Sequence, residues 1–477
     1  MIDITPTKMD AVPGNFWLST SPEKRIPGFL TLNSGWPKIE LMGELLPVFE
    51  VADESPTHTS YKAAPHSQPD AIIHGIISAP RGKVTLSGAH IKKSNTALFG
   101  DAVVQQTLSS DEAFIGAHLE SPRQKFSKLQ FSTERLGYWA EIDGVSAKMK
   151  PDFSSFEIHY EKKERPEIDL TVIPGTLRLH QKVSFTRPTH AGAGVKTSTW
   201  LRFDSREKAT VNDYREMIAG PVSNLLTFLF GKYCHVGKIE VADPGIESAN
   251  WIEVVRYSND FDDSDTKQSP FLDLEGIGLE NLGKFIDNST KLQIFSNIIA
   301  GADSRDSSLE GKFVQLAFAA EGLHRTLNSS AKFFTREEAE PVLKAIKGCE
   351  AENHVKERIA GAAKQYLGEL SFPQRLLSLA QIAELSAPGI SGKTKLWKEG
   401  ITQLRNGLAH GSSLEITNEK VNSYYILTES LHWILKLCIL SESGLPSEKI
   451  KQGLENHESY TKFKTSARNY LPRVYEA

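Results

Sequence analysis

Cysteine is scarce in this chain of 477 residues: Cys234, Cys349 and Cys438 lie far apart and form no C-x-x-C pair. That excludes a disulfide framework and a zinc site built on paired thiolates, and it predicts a reducing compartment. An excess of charge of one sign is also missing. With 55 Lys and Arg against 59 Asp and Glu, the net charge is −4. No global field draws such a protein to nucleic acid, so any RNA-binding surface must be a local patch. Long apolar runs are missing too. PVSNLLTFLFG is too short to cross a bilayer, and Glu429, His432 and Lys436 interrupt YYILTESLHWILKLCIL. The start, MIDITPTKMD, lacks the basic and then apolar order of a signal peptide. The expectation is a soluble, cytoplasmic protein with no membrane partner, long enough for two or three domains.

What is present changes period along the chain. To about residue 205, short alternating or β-branched runs read as strands: KIELMGELL, AIIHGIIS, KVTLSGAHI, FSSFEIHYE, EIDLTVI, LRLHQKVSF and STWLRF. Turn-formers such as APRG, IPGT and TRPTHAGAG separate them. Closely spaced short strands predict a sandwich or an irregular barrel. One helix follows near 209–232, and then two more strands, GKIEVAD and WIEVVRYS. After about 290 the period is helical, with six candidate helices joined by short breaks, which predicts an antiparallel bundle. The reading is an α+β multidomain chain: a β-rich domain over 1–290 and an all-α domain over 291–477. No internal repeat or low-complexity tract is visible.

Several segments imitate functional motifs. APGISGKTK (387–395) matches the end of a phosphate-binding P-loop, but Ala387 replaces the first glycine and the preceding segment is helical, so it reads as a loop. Asp260, Asp262, Asp263 and Asp265 lack the turn glycine and closing glutamate of an EF-hand, and read as a solvated loop. GIGLENLG has the wrong glycine spacing for a dinucleotide turn. There is no H-E-x-x-H and no G-x-S-x-G. His118, His180 and His235 are scattered through the β half and read as structural.

QLRNGLAHGSS (403–413) is different. Trp397, Ile401, Leu404 and Leu408 form the core-facing stripe of its helix, and Arg405 and Asn406 fall off that stripe. His410 is rotated about 140° from Arg405 on a regular helix. The two converge if the helix ends near Ala409, with Gly411 letting the chain turn, or if each reaches a site shared with a second subunit. The residue types suit RNA cleavage. The ribose 2′-hydroxyl is a built-in nucleophile, so a base that takes its proton suffices, and His410 titrates near working pH. Arg405 presents a permanent fork of donors to the charged phosphate, and Asn406 can bond a phosphate oxygen or orient its neighbours. Such cleavage leaves a 2′,3′-cyclic phosphate and a 5′-hydroxyl. No metal and no cofactor are called for.

RNGLAHG resembles the R-N-x-x-x-H signature of HEPN domains, helical bundles found in many prokaryotic defence and toxin ribonucleases. It falls late in the all-α half, and a long amphipathic helix follows. FAAEGLHR on an earlier helix places Glu321 where some HEPN families carry an acidic residue near the Arg–His pair. In the N-terminal half, NFWLSTSPEKRIPGFLTLNSGWPKIELMGEL, IIHGIISAPRGKVTLSGAHI and FIGAHLE resemble ApeA-type anti-phage proteins. The resemblance implies an abortive-infection effector in which a β-rich sensing or regulatory module, answering a phage-derived trigger, is coupled to a metal-independent HEPN endoribonuclease. It also implies a homodimer or higher homo-oligomer with both motifs lining one cleft. Arg405, His410, Asn406 and Glu321 are the candidate catalytic residues. Lys356, Arg358, Lys364, Arg375, Lys393, Lys395 and Lys398 are candidate contacts to an RNA backbone, with transfer RNA a candidate substrate. The alternative reading is a catalytically inactive HEPN protein that dimerises or binds nucleotide or RNA. An ATP-driven machine resting on SGKT is a third.

Overall fold

The computed structural model describes residues 11–476 apart from 34, 56–57, 66, 79–81, 96–103, 142–143, 153, 163–165, 190–191, 247–250, 258–268, 305–307, 331, 367 and 410–416. The chain divides into two units. The first (residues up to 137, 142–220 and 235–266) holds β1 (Val12–Leu18), β2 (Ile26–Thr31), β3 (Lys38–Leu41), β4 (Phe49–Ser55), β5 (His58–Ala63), β6 (Ser67–Ile77), β7 (Lys83–Asn95), β8 (Gln105–Ser109), β9 (Glu112–Ile115), β10 (Lys125–Thr133), β11 (Val145–Met149), β12 (Phe156–Tyr160), β13 (Glu167–Leu170), β14 (Gly175–Thr189), β15 (Gly192–Thr210), β16 (Val236–Ala242) and β17 (Ile252–Val255).

Thirteen of these strands form one sheet, ordered β13-β14-β15-β10-β16-β17-β9-β7-β6-β1-β2-β3-β8, and β8 returns to pair with β7. That closure makes a six-stranded barrel, with the remaining strands of the sheet outside it. Of the two architectures that the strand spacing allowed, the barrel is the one formed. Alternation builds its core: Ile26 and Leu30 on β2, Ile39 and Leu41 on β3, and Val84 and Leu86 on β7 are buried together, and Ala89 joins them out of phase, past Gly88. Strand β7 has two successive partners on one edge, β9 through Val84–Ser87 and β8 from His90 onward. Gly88 sits at the changeover with φ +67, and a Cβ there would meet the Asp111 carboxylate at 2.3 Å. Buried Gln106 accepts from the amides of Leu45 and Leu46 and donates to the Leu46 carbonyl. Outside the barrel, the β11–β12 hairpin places Val145, Ala147 and Met149 opposite Tyr160, Ile158 and Phe156, and Met149 and Phe156 are exposed.

The helices are α1 (Leu136–Ala140), α2 (Val211–Tyr214), α3 (Gly220–Phe230), α4 (Leu274–Ile277), α5 (Leu279–Gly301), α6 (Leu309–Leu327), α7 (Arg336–Gly348), α8 (Asn353–Tyr366), α9 (Phe372–Glu384), α10 (Thr394–Ala409), α11 (Asn418–Glu442), α12 (Ser447–Glu455), α13 (Glu458–Tyr470) and α14 (Pro472–Tyr475). Thr210 and Asp213 close a capping box at the start of α2, and a π-turn over Arg215–Ala219 joins it to α3. The second unit comprises 138–141, 221–234 and 267–477. Its helical run begins at Leu274, earlier than the period change near 290 indicated. Helix α3 is buried almost all round, with the Phe228 ring edge-on to Phe285 and Asn224 donating to Asn297. No helix among the described residues is long and apolar enough to cross a membrane.

The bundle core holds buried ionisable groups. Lys436 pairs with Asp303 at 2.7 Å, both almost wholly buried, and the Nε2 of His432 bonds the Ile299 carbonyl. His457 is buried edge-on to Phe271 and Trp433, and neither ring nitrogen has a hydrogen-bond partner among the described residues. Burial, helped by the charge of Lys436, pushes its pKa down to about 4. The unfolded chain therefore binds a proton that the folded protein refuses between pH 6.5 and about 4. The stability from a neutral His457 is complete above pH 6.5 and is lost as pH falls through that window, at up to roughly 1.4 kcal/mol per pH unit. Thermal melts of His457→Leu should have a shallower pH slope than wild type there. Equal slopes would remove His457 from the acid response.

Candidate nuclease site

The site is built where α6 and α10 meet. Ser308 caps α6, its hydroxyl accepting from the Gly311 amide. Gly322 lets α6 sit close on α5, since a Cβ there would lie 2.4 Å from the Phe295 ring. Residues 314, 318, 321 and 325 follow the helical period, so exposed Val314, Phe318 and Arg325 share one stripe with half-buried Glu321. On α10, Trp397, Ile401 and Leu404 are buried, and the indole N–H of Trp397 donates to Ser430 on α11. Three of the four residues of the stripe expected from spacing thus anchor the helix, Leu408 is half-buried, and Arg405 and Asn406 are left exposed.

Arg405 meets Glu321 across the two helices, Nη2 to Oε2 at 3.6 Å, and its guanidinium lies 5.0 Å from the centre of the Phe372 ring at the start of α9. Glu321 also holds Arg325, one turn on, at 3.2 Å through its other oxygen. Three candidate catalytic residues are therefore placed: Arg405 and Glu321 are brought together, and Asn406 follows Arg405 on the same helix. His410 lies outside the described residues. Spacing alone did not bring in Arg325, Phe372 or Glu369. The pattern E-x-x-x-R on α6 was the available signal, because it puts both charges on one face.

The candidate RNA-contact residues fall into two groups. Lys356, Arg358 and Lys364 are on α8, and Lys393, Lys395 and Lys398 precede or begin α10. Lys398 lies on the stripe of Arg405 two turns away, about 10 Å along the axis. Arg375 is a correction. It is buried on α9, with Nε donating to the Leu370 carbonyl, Nη1 facing Nδ1 of His324 at 3.2 Å and Nη2 on Glu369 at 2.7 Å. A guanidinium so fully committed is not available to an RNA backbone. His324 is buried beside it and held below the usual imidazole range by that burial and by the charges of Arg375 and Arg325.

The P-loop look-alike is a turn between α9 and α10, as its sequence context indicated. Its amides are spent internally: the Glu384 carboxylate accepts from Gly389 N at 2.6 Å, Ser391 N at 3.1 Å and the Ser391 hydroxyl at 2.7 Å. An anion would have to displace that carboxylate. The acidic loop with Asp260, Asp262, Asp263 and Asp265 lies outside the described residues. Among the described residues, no three His, Cys, Asp or Glu side chains gather in metal-ligating range.

A helical bundle whose sequence carries R-N-x-x-x-H, with Arg405 and Asn406 on one helix and Glu321 meeting Arg405 from another, has the character of the HEPN class of domain. Comparison with known families agrees: the model described as Apea-like HEPN matches residues 314–449, and that described as ApeA N-terminal domain 1 matches residues 12–288. The chain belongs to the ApeA family, a family of defence-associated HEPN nucleases. No curated protein and no solved structure matched it.

Proposed function

We propose that this chain is a metal-independent endoribonuclease of anti-phage defence, acting in the cytoplasm as an abortive-infection effector. The observation that carries the reading is the Arg405–Glu321 pair, which holds an exposed guanidinium at the motif without sealing it off. In the proposed reaction His410 takes the 2′-hydroxyl proton, and the oxygen attacks the adjacent phosphorus. Arg405 stabilises the charge that gathers on the phosphate oxygens, and Asn406 orients the phosphate. Glu321 keeps Arg405 in place until a phosphate competes for it. The bond to the 5′-oxygen breaks, that oxygen takes up a proton from water while His410 returns its own to solvent, and the ends left are 2′,3′-cyclic phosphate and 5′-hydroxyl. A flexible RNA loop suits this in-line geometry better than a duplex, and transfer RNA offers such loops.

Two copies of the chain fit the reading. Phe318 is 72% exposed and Val314 52% exposed on the same α6 stripe as Glu321. Helix α11, tied to α6 by Lys312–Glu429 at 2.7 Å, adds exposed Tyr425 and Val421. An apolar strip running up to a charged site suits a second copy that completes a shared cleft. The β-rich unit is then the sensor of a phage-derived trigger.

The test is one preparation. Purified protein should cut RNA in EDTA, leave cyclic-phosphate ends, and sediment at twice its 52.9 kDa. RNA bound but never cut would favour the inactive-binder reading instead.

A further inference from the structure

The site contains a competition. Glu321 has two oxygens and two guanidinium claimants: Arg325 on its own helix at 3.2 Å, and Arg405 from α10 at 3.6 Å. Arg325 has the advantage, since it is the nearer and is one helical turn away. Left alone, its fork would take both carboxylate oxygens, the geometry that guanidinium and carboxylate prefer. A second carboxylate prevents this. Glu369, just before α9, binds Nη1 of Arg325 at 3.0 Å, so Arg325 spends one arm on each glutamate. Glu369 is in turn fixed by Arg375, which shares the same Oε2 at 2.7 Å. Arg375 cannot drift, because it is buried and its other nitrogens face the Leu370 carbonyl and His324.

The geometry points to Glu369 as a positioning residue of the nuclease site, with Arg375 as its anchor. By drawing Arg325 aside, Glu369 leaves one oxygen of Glu321 for Arg405, and thereby sets where the guanidinium waits for the phosphate. This inference rests on the ribonuclease reading and extends it to a residue that touches neither substrate nor Arg405.

Glu369→Gln tests it, since the side chain is 41% exposed and the amide keeps its shape. Single-turnover cleavage by this variant should fall about tenfold to a hundredfold, the scale of an ångström-sized misplacement. RNA affinity should stay at its wild-type value, and the melting temperature should fall only slightly, because Glu369 is half exposed and the Gln oxygen still accepts from Arg375. Adding Arg325→Gln should restore most of the rate, because the competitor for Glu321 is gone. Damage to the fold would not be repaired by deleting a second ion pair. A full rate in Glu369→Gln, or a double variant as slow as the single, overturns the positioning role alone. A wild-type protein that cuts no RNA overturns the nuclease reading and this inference with it.

Discussion

Arg405→Ala is expected to slow RNA cleavage about 10²- to 10³-fold, the usual cost of removing a preorganised donor from a developing oxyanion. His410→Ala should cost about 10²- to 10⁴-fold, the range for a general base. The two effects should not add, because base and charge stabiliser act in one transition state. Substrate affinity should change little beside the rate, since the Arg405 contact strengthens as charge builds on the phosphate. Arg405→Lys should recover little, because a point charge does not replace a fork of donors lying over Phe372. The side chain is 44% exposed, so melting temperature should stay near wild type. Single-turnover assays with both variants decide the matter, and a wild-type rate in either would remove that residue from the site.

The largest loss of stability should come from Lys436→Ala. Lys436 is the near partner of Asp303 at 2.7 Å, with side-chain exposures of 4% and 9%. Burial raises the pKa of Asp303, and the charge of Lys436 opposes that rise. Lys312 and Glu429 are the other charges that reach it, and they act in opposite directions. Removing Lys436 leaves a buried carboxylate that must stay charged or take up a proton. Breaking such a pair costs about 3–5 kcal/mol, or about 6–20 °C in melting temperature for a unit of this size. The defect should ease as pH falls, because the protonated acid is the form that burial prefers. Replacing both partners by apolar residues should cost far less than removing one. A Lys436→Ala melt within 2 °C of wild type would show the pair to be energetically idle.

How far the sequence revealed this molecule depended on whether the signal was local. The bundle helices were legible because α6, α9 and α11 repeat apolar residues at helical spacing. Helix α5 was missed because its buried set includes Gly283, Ser289 and Ser296, which carry no hydrophobic signal. Alternation revealed strand faces but not partners: β3 pairs with β8 across more than 60 residues, and that pairing closes the barrel. In the site, Arg405 was legible from its motif and Glu321 from its family position. The chain from Arg325 through Glu369 to Arg375 was not, since nothing local distinguishes a buried arginine from a solvated one.

The interleaving of the two units has a practical consequence. Helix α3 is followed by more than 20 residues of the β-rich unit, yet Leu225, Leu226, Phe228 and Leu229 are fully buried within the helical one. A fragment beginning at residue 267 would lose that helix and expose the surface it covers, including the face of Phe285. A protease nick anywhere between the last strand of the β-rich unit and α4 would leave α3 attached to the other piece. No single cut in the chain separates the two units, so the helical unit cannot be released whole by one proteolytic event.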